Sequence, residues 1–290
     1  MIPLILRSQL DAMCEIAEQV DDWSDPKSVH DARVASRRLR SSISNFKPYL
    51  SKPGLTRLKL NAMARNLGVL RDEDVALEAL QDLKEKASGA AAKGIDLTIK
   101  ERQGWREEAL RKAIKPEAVD GIREELLEKL DDVDFEDTSK TLGEVAAEVI
   151  EKRVKDFLSA SPHIYQPLES KELHELRILA KRLRYAAELF APCWPEADFK
   201  AIAKEISQLQ DSLGDLHDCD VWIEDLGTRL QDSRKDWDPV AAERAHAGAT
   251  WLLEHFSRQR GEHYHEALSL WEEWQANNFF EQLRKNVSGF

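Results

Sequence analysis

The chain has 290 residues, with 42 Lys and Arg against 54 Asp and Glu, giving a net charge of −12 at pH 7. An acid excess of that size argues against a surface that adheres broadly to polyanions, so any anion site has to come from local segregation of charge. Only 12 Gly and 10 Pro interrupt a sequence dominated by Ala, Leu, Glu, Lys, Arg and Asp, which favours helices throughout.

In chain order, helical periodicity predicts elements over roughly 4–21, 26–50, 54–86 and 89–130, the last broken near Pro116. A second series follows at roughly 139–160, 169–191, 196–232 and 239–280. Pro26 and Pro239 suit a first helical turn, with Asp25 and Asp238 before them as caps. Pro48 and Pro192 close their helices, because proline cannot continue the backbone ladder. Gly68 and Gly214 fall inside long helices, where each either kinks the helix or lets another backbone approach. The acidic stretch Asp131–Asp137, ahead of a helix start at Thr138 or Ser139, divides the chain into halves 1–137 and 138–290. The expected fold is all-α, with about four helices in each half.

The halves repeat one plan. Residues 29–48, VHDARVASRRLRSSISNFKP, align with 173–192, LHELRILAKRLRYAAELFAP, at an offset of 144. The alignment pairs His30 with His174, Arg33 with Arg177, Arg38 with Arg182, Leu39 with Leu183, Arg40 with Arg184, Phe46 with Phe190 and Pro48 with Pro192. Arg37 pairs with Lys181 and keeps its charge. A second motif follows each first one: LGVLRDEDVALEAL at 67–80 and LGDLHDCDVWIEDL at 213–226, at an offset of 146. Two motifs in the same order at nearly the same separation make the chain an internal duplication.

On a helix, His30, Arg33, Arg37 and Arg40 share one sector, extended by Ser41 and Ser44. Ala32, Ala35, Leu39, Ile43 and Phe46 collect on the other side. In the second copy His174, Arg177, Lys181, Arg184 and Tyr185 form the front, with Glu188 near its edge. Leu176, Leu179, Leu183, Ala187 and Phe190 form the back. Arg38 and Arg182 lie on the flank. An ordinary solvated helix surface mixes signs, because Glu–Lys pairs four residues apart stabilise it, whereas like charges at that spacing repel. A single-sign face therefore points to an anion. Arginine binds phosphate oxygens in bidentate fashion and stays charged at any working pH. Histidine adds a titratable donor, so binding is expected to strengthen as pH falls.

These residues resemble the CHAD domain, the conserved-histidine α-helical domain. VHDARVASRRLRSSISNF and LHELRILAKRLRYAAELF look like its two His-x-x-Arg helices, and LGVLRDEDV and LGDLHDCDV like the segment after each. The resemblance spans roughly residues 5–285 and implies two helical bundles related by a pseudo-two-fold axis around a central basic groove or pore. It also implies binding of inorganic polyphosphate, often with targeting to polyphosphate granules. Carried over by position, the ligand-facing residues are His30, Arg33, Arg37, Arg40, His174, Arg177, Lys181 and Arg184. Arg38 and Arg182 match the motif as ligand or packing residues, and Arg71 and His217 are second-tier candidates. Many members carry a fused triphosphate-processing domain; with no room for one here, a stand-alone member is expected.

Rival chemistries are weaker on the residues. The dipeptides His30-Asp31 and His217-Asp218 suggest a metal-dependent phosphohydrolase acting on phosphate anhydrides. Adjacent helical residues diverge by about 100°, however, and a catalytic metal needs several converging ligands. Asp72, Asp74, Asp218 and Asp220 read instead as partners of the motif arginines or as helix-end polar groups. Glu243-x-x-His246 and Glu262-x-x-His265 match a di-iron pattern, yet the pattern needs facing helices and both fall on one segment. Nucleic acid, bound by its backbone, shares the phosphate chemistry. Stacking of single strands calls for interleaved aromatics, and the fronts offer only Tyr185. Trp237, Trp251, Trp271 and Trp274 are spaced for core packing. A scaffold that binds an acidic protein at the same face is a further reading.

Cys14, Cys193 and Cys219 are far apart and read as reduced thiols of a cytosolic protein. The apolar run from Met1 to Leu6 is too short for a signal peptide, and no segment reaches the roughly 18–20 apolar residues of a membrane span. The sequence thus predicts a cytoplasmic, non-enzymatic anion-binding module that needs no cofactor and no metal, and the resemblance implies that the anion is polyphosphate.

Overall fold

The computed structural model describes residues 1–49, 58–132, 140–232 and 239–287. All regular structure among them is helical. The chain divides into two compact units, Met1–Thr138 and Ser139–Phe290.

In the first unit α1 (Ile2–Glu18) packs on α2 (Pro26–Phe46), α2 on α3 (Leu58–Lys86), and α3 on α4 (Gly89–Lys112). The predicted break near Pro116 is present, and α5 (Ala118–Asp132) returns against α1. Asp25 caps α2, its carboxylate accepting from the amides of Lys27 and Ser28, with Pro26 in the first turn. Trp23 is buried beside that entry and its indole N–H donates to the Ile114 carbonyl at 2.6 Å. The start of α2 is thereby fixed against the turn between α4 and α5. Its end comes at Phe46, two residues before Pro48, and one 3-10 turn follows.

The second unit runs α6 (Leu142–Ala160), α7 (Ser170–Phe190), α8 (Phe199–Asp232), α9 (Pro239–Ala276) and α10 (Phe279–Val287). A reciprocal capping box between Thr141 and Glu144 starts α6. The expected helix start at Thr138 or Ser139, the acidic stretch beyond Asp132, Asp238 as a cap and Trp237 lie outside the described residues. α7 lies between α6 and α8, and α8 packs along α9. As expected, α7 ends at Phe190, two residues before Pro192.

The predicted helix over 239–280 is two helices. Asn278 takes a positive φ of 52° between them. Asparagine tolerates that left-handed geometry because its short side chain bonds locally, and it ends α9 where helical periodicity alone would run on. The break turns Phe279 and Phe280 back onto Trp271, Trp274 and Phe157 of α6. Phe157 lies 6.0 Å from Trp271, 6.1 Å from Trp274 and 5.6 Å from Phe280, ring centre to ring centre. Trp271 and Trp274 are core residues, in line with their spacing.

Phe157 is fully buried at the centre of this cluster. Phe157→Ala is expected to destabilise the second unit by about 4 kcal/mol through lost burial and the cavity left behind. Denaturant unfolding followed by the fluorescence of Trp271 and Trp274 measures it; a loss under about 1 kcal/mol contradicts the packing described.

Candidate anion-binding site

In the first unit, α2 packs against α3. Arg33 reaches across and donates to the Gly68 carbonyl at 2.9 Å and to Asp72 at 2.8 Å. Arg37, Arg40 and Arg71 are half-buried, whereas His30 and Arg38 are exposed. Val29, Ala32, Leu39, Ile43 and Phe46 are buried on the packed side. That side is more polar than its apolar residues suggest, because Ser36, Ser42 and Asn45 are buried with them. The Ser36 hydroxyl donates back to the Arg33 carbonyl at 3.1 Å, which satisfies it inside its own helix. Ala35, expected on the packed side, is only half-buried; Ser41 is half-buried and Ser44 exposed.

In the second unit His174, Arg177, Lys181 and Arg184 are half-buried along α7, and Arg182 is exposed. Leu176, Leu179, Leu183, Ala187 and Phe190 are buried, as predicted. Tyr185 corrects the expectation that placed it on the front: it is 6% exposed and belongs to the core. Its ring lies under the Arg184 guanidinium at 4.8 Å, so the aromatic body is buried while the cation covers its face. Arg184 also donates to Ser207 of α8 at 2.7 Å and approaches Glu188 at 3.6 Å.

His174 and His217, the latter a second-tier candidate, are brought together across α7 and α8. Their ring centres are 4.0 Å apart. Burial first, then the neighbouring His174 and Arg177, push the His217 imidazole down to about 4. Burial, then Arg177 and Lys181, hold His174 below the usual imidazole range. Arg177 lies across α8 at Gly214, where a β-carbon would sit 3.4 Å from its Nε. The close approach expected at Gly214 therefore comes from a guanidinium, not a backbone. At Gly68 the corresponding arginine uses the carbonyl instead.

Two arginines escaped the sequence reading, and they anchor both copies. Arg106 of α4 donates through Nε to Asp74 at 2.6 Å and through Nη2 to the Ser24 carbonyl at 2.7 Å. Arg260 of α9 donates through Nε to Asp220 and through Nη2 to the Pro167 carbonyl at 2.7 Å. Each guanidinium ties three segments together: its own helix, the helix carrying the second motif, and the loop leading into the cationic helix. The aspartates are separated by 146 residues, the arginines by 154 and the carbonyls by 143, so no single offset reveals the clamp. Asp74 and Asp220 thus partner arginines outside the motifs, and Asp72 takes a motif arginine, Arg33.

Glu243, His246, Glu262 and His265 all lie on α9, one helix, so the two pairs do not face each other. Among the described residues, no three His, Cys, Asp or Glu side chains are grouped as metal ligands. Burial pushes the Cys14 thiol up to about 11 and the Cys219 thiol to about 12, which makes both unreactive.

The Asp74 side chain is 2% exposed and that of Arg106 21%. Arg106→Met strands a buried carboxylate and is expected to cost the first unit about 3 kcal/mol or more. Adding Asp74→Leu is expected to recover much of that loss. Thermal or denaturant unfolding of the single and double variants checks this; equal stability of wild type and Arg106→Met refutes the clamp.

A family model described as the CHAD domain matches residues 4–227. Among solved structures, the chain is similar to the CHAD domain from the plant Ricinus communis, at 22% identity and a TM-score of 0.70. That match covers 93% of this chain and 90% of the other. It is also similar to PptA from Streptomyces chartreusis, at 15% identity and a TM-score of 0.71, covering 93% and 98%. The search of curated proteins found no match.

Proposed function

The chain belongs to the CHAD domain family, and on that premise we propose that it binds inorganic polyphosphate, without catalysis, through the cationic faces of α2 and α7. The observation that carries this reading is the repeated face itself: His30, Arg33, Arg37 and Arg40 in one unit, His174, Arg177, Lys181 and Arg184 in the other. Helices α4 and α5 carry mixed-sign pairs four residues apart, Lys112 with Glu108 and Lys129 with Glu125, and α7 has one at the edge of its face, Arg184 with Glu188. The α2 face has no acid of its own, Asp72 reaching Arg33 from α3, and like charges along one helix favour an anion beside them.

Guanidinium groups suit phosphate because their paired N–H donors match two oxygens at once. A linear polyanion extends that match along a helix face, adding one contact per turn. Arg38 and Arg182, both exposed, serve as outer contacts, and Arg71 and His217 as contributors from α3 and α8. Burial of Tyr185 removes the aromatic that the cationic fronts would offer for stacking of single strands. Nucleic acid is therefore the weaker competitor, held only by its backbone. Association with polyphosphate granules follows from the same chemistry. No helix of the described residues is long and apolar enough to cross a membrane.

Titration with long-chain polyphosphate, competed separately by single-stranded DNA and by short phosphates, tests the reading. Binding that only polyphosphate competes is expected, with no phosphate released; equal competition by DNA reduces the protein to a general polyanion binder. Replacing Arg33, Arg37, Arg177 and Lys181 together is expected to abolish binding with circular dichroism unchanged. Unaltered affinity in that variant sinks the assignment of the site. Affinity is also expected to fall steeply with salt, since each neutralised phosphate releases counterions. A flat salt dependence contradicts a multi-cation face.

A further inference from the structure

The two units do not treat their equivalent arginines alike. Arg33 already has an acid, Asp72, and a carbonyl, Gly68. Arg177 makes no hydrogen bond or ion pair among the described residues, and it lies against Gly214. Beside it the His174 and His217 rings meet at 4.0 Å, tilted by 41°. The buried Nδ1 of His174 has no hydrogen-bond partner among the described residues. In the first unit the corresponding sequence positions hold His30 and Arg71, so the imidazole pair belongs to the second unit alone.

We propose that α7 and α8 form a proton-coupled phosphate subsite, in which Arg177 holds a phosphate oxygen and the His174–His217 pair takes up a proton as the anion binds. This rests on the polyphosphate reading and adds to it which unit responds to pH, and how. The proton comes from the buffer and goes to an imidazole nitrogen; no phosphate bond forms or breaks.

The charged groups around the pair decide the sign. On α7, Arg177 and Lys181 repel a protonated ring and Glu175 attracts one. On α8, Asp220 attracts, but Arg260 of α9 already engages it. His263, also of α9, is turned to Glu266 at 3.2 Å and Asp215 at 4.0 Å. Cations therefore dominate around the pair, and without ligand both rings are neutral at pH 7. A phosphate on Arg177 cancels the repulsion, so the bound state holds a proton that the free state lacks. Affinity then rises as pH falls, by up to about tenfold per pH unit for each proton taken up. The gain ends near pH 4, where free His217 is itself protonated.

The experiment is calorimetry of long-chain polyphosphate binding at about pH 6, in two phosphate-free buffers of different ionisation enthalpy. The difference in heat counts protons taken up. Wild type is compared with His217→Gln and His174→Gln, and with His217→Arg, which installs the residue of the first unit. The expected result is proton uptake in wild type that is lost in His217→Arg while binding persists. Uptake that is equal in wild type and all three variants assigns the proton to a group outside the pair, such as His30 of the first unit, and overturns the proposal. Binding of wild type without uptake overturns the proposal alone, whereas absence of binding by wild type overturns the polyphosphate reading itself. Circular dichroism of each variant separates lost uptake from lost fold, and His217→Arg keeps the test decisive if either glutamine variant unfolds.

Discussion

A guanidinium shared between a carboxylate and a backbone carbonyl holds each cationic helix where it lies. Arg106 joins Asp74 to the Ser24 carbonyl, and Arg260 joins Asp220 to the Pro167 carbonyl. A helix bearing several like charges on one side has reason to drift from its neighbours or to fray at its start. A donor network anchored in the preceding loop prevents this without occupying the cationic face. The clamp is paired and hydrogen-bonded, which is the condition under which a largely buried charge is tolerated. Specific placement, more than net stability, is what such a pair provides.

Around that anchor the charges are sorted by location. Acids elsewhere are matched with nearby bases, as in Arg123 with Asp11 and Arg284 with Glu151. The same protein that carries −12 overall thus keeps α2 free of acids along its front. Net charge describes the far field, and ligand binding depends on the near field, within roughly a Debye length of 8–10 Å. An anion close to α2 or α7 experiences the arginines first.

Duplication preserved the frame and let the details diverge. Both copies keep the proline-terminated cationic helix, a glycine that the first arginine meets, and the clamp. The copies differ in what surrounds that arginine: Asp72 and the Gly68 carbonyl in one, a close pair of tilted imidazoles and the face of Gly214 in the other. Arg184, tied to Ser207 and near Glu188, shows that a cation on the face can also serve the packing of α7 on α8.

The sequence by itself determined the helical class, the duplication, the cationic helices and their ends at Pro48 and Pro192. All of these depend on local periodicity or on proline's missing N–H, and so are written along the chain. His217 was legible only as a second-tier candidate, since its distance from His174 is 43 residues in sequence and 4.0 Å between rings in space. Tyr185 read as a front residue because a helical wheel gives direction but not depth; the packing of neighbouring elements on α7 decided that it is buried. The break at Asn278 needed the aromatic cluster around Phe157 to show why the chain turns there. The Arg106 and Arg260 clamps were invisible because their partners come from separate segments at unequal offsets. Only tertiary structure decides such contacts, because they depend on which helices meet and at what depth, and not on the spacing of residues within one helix.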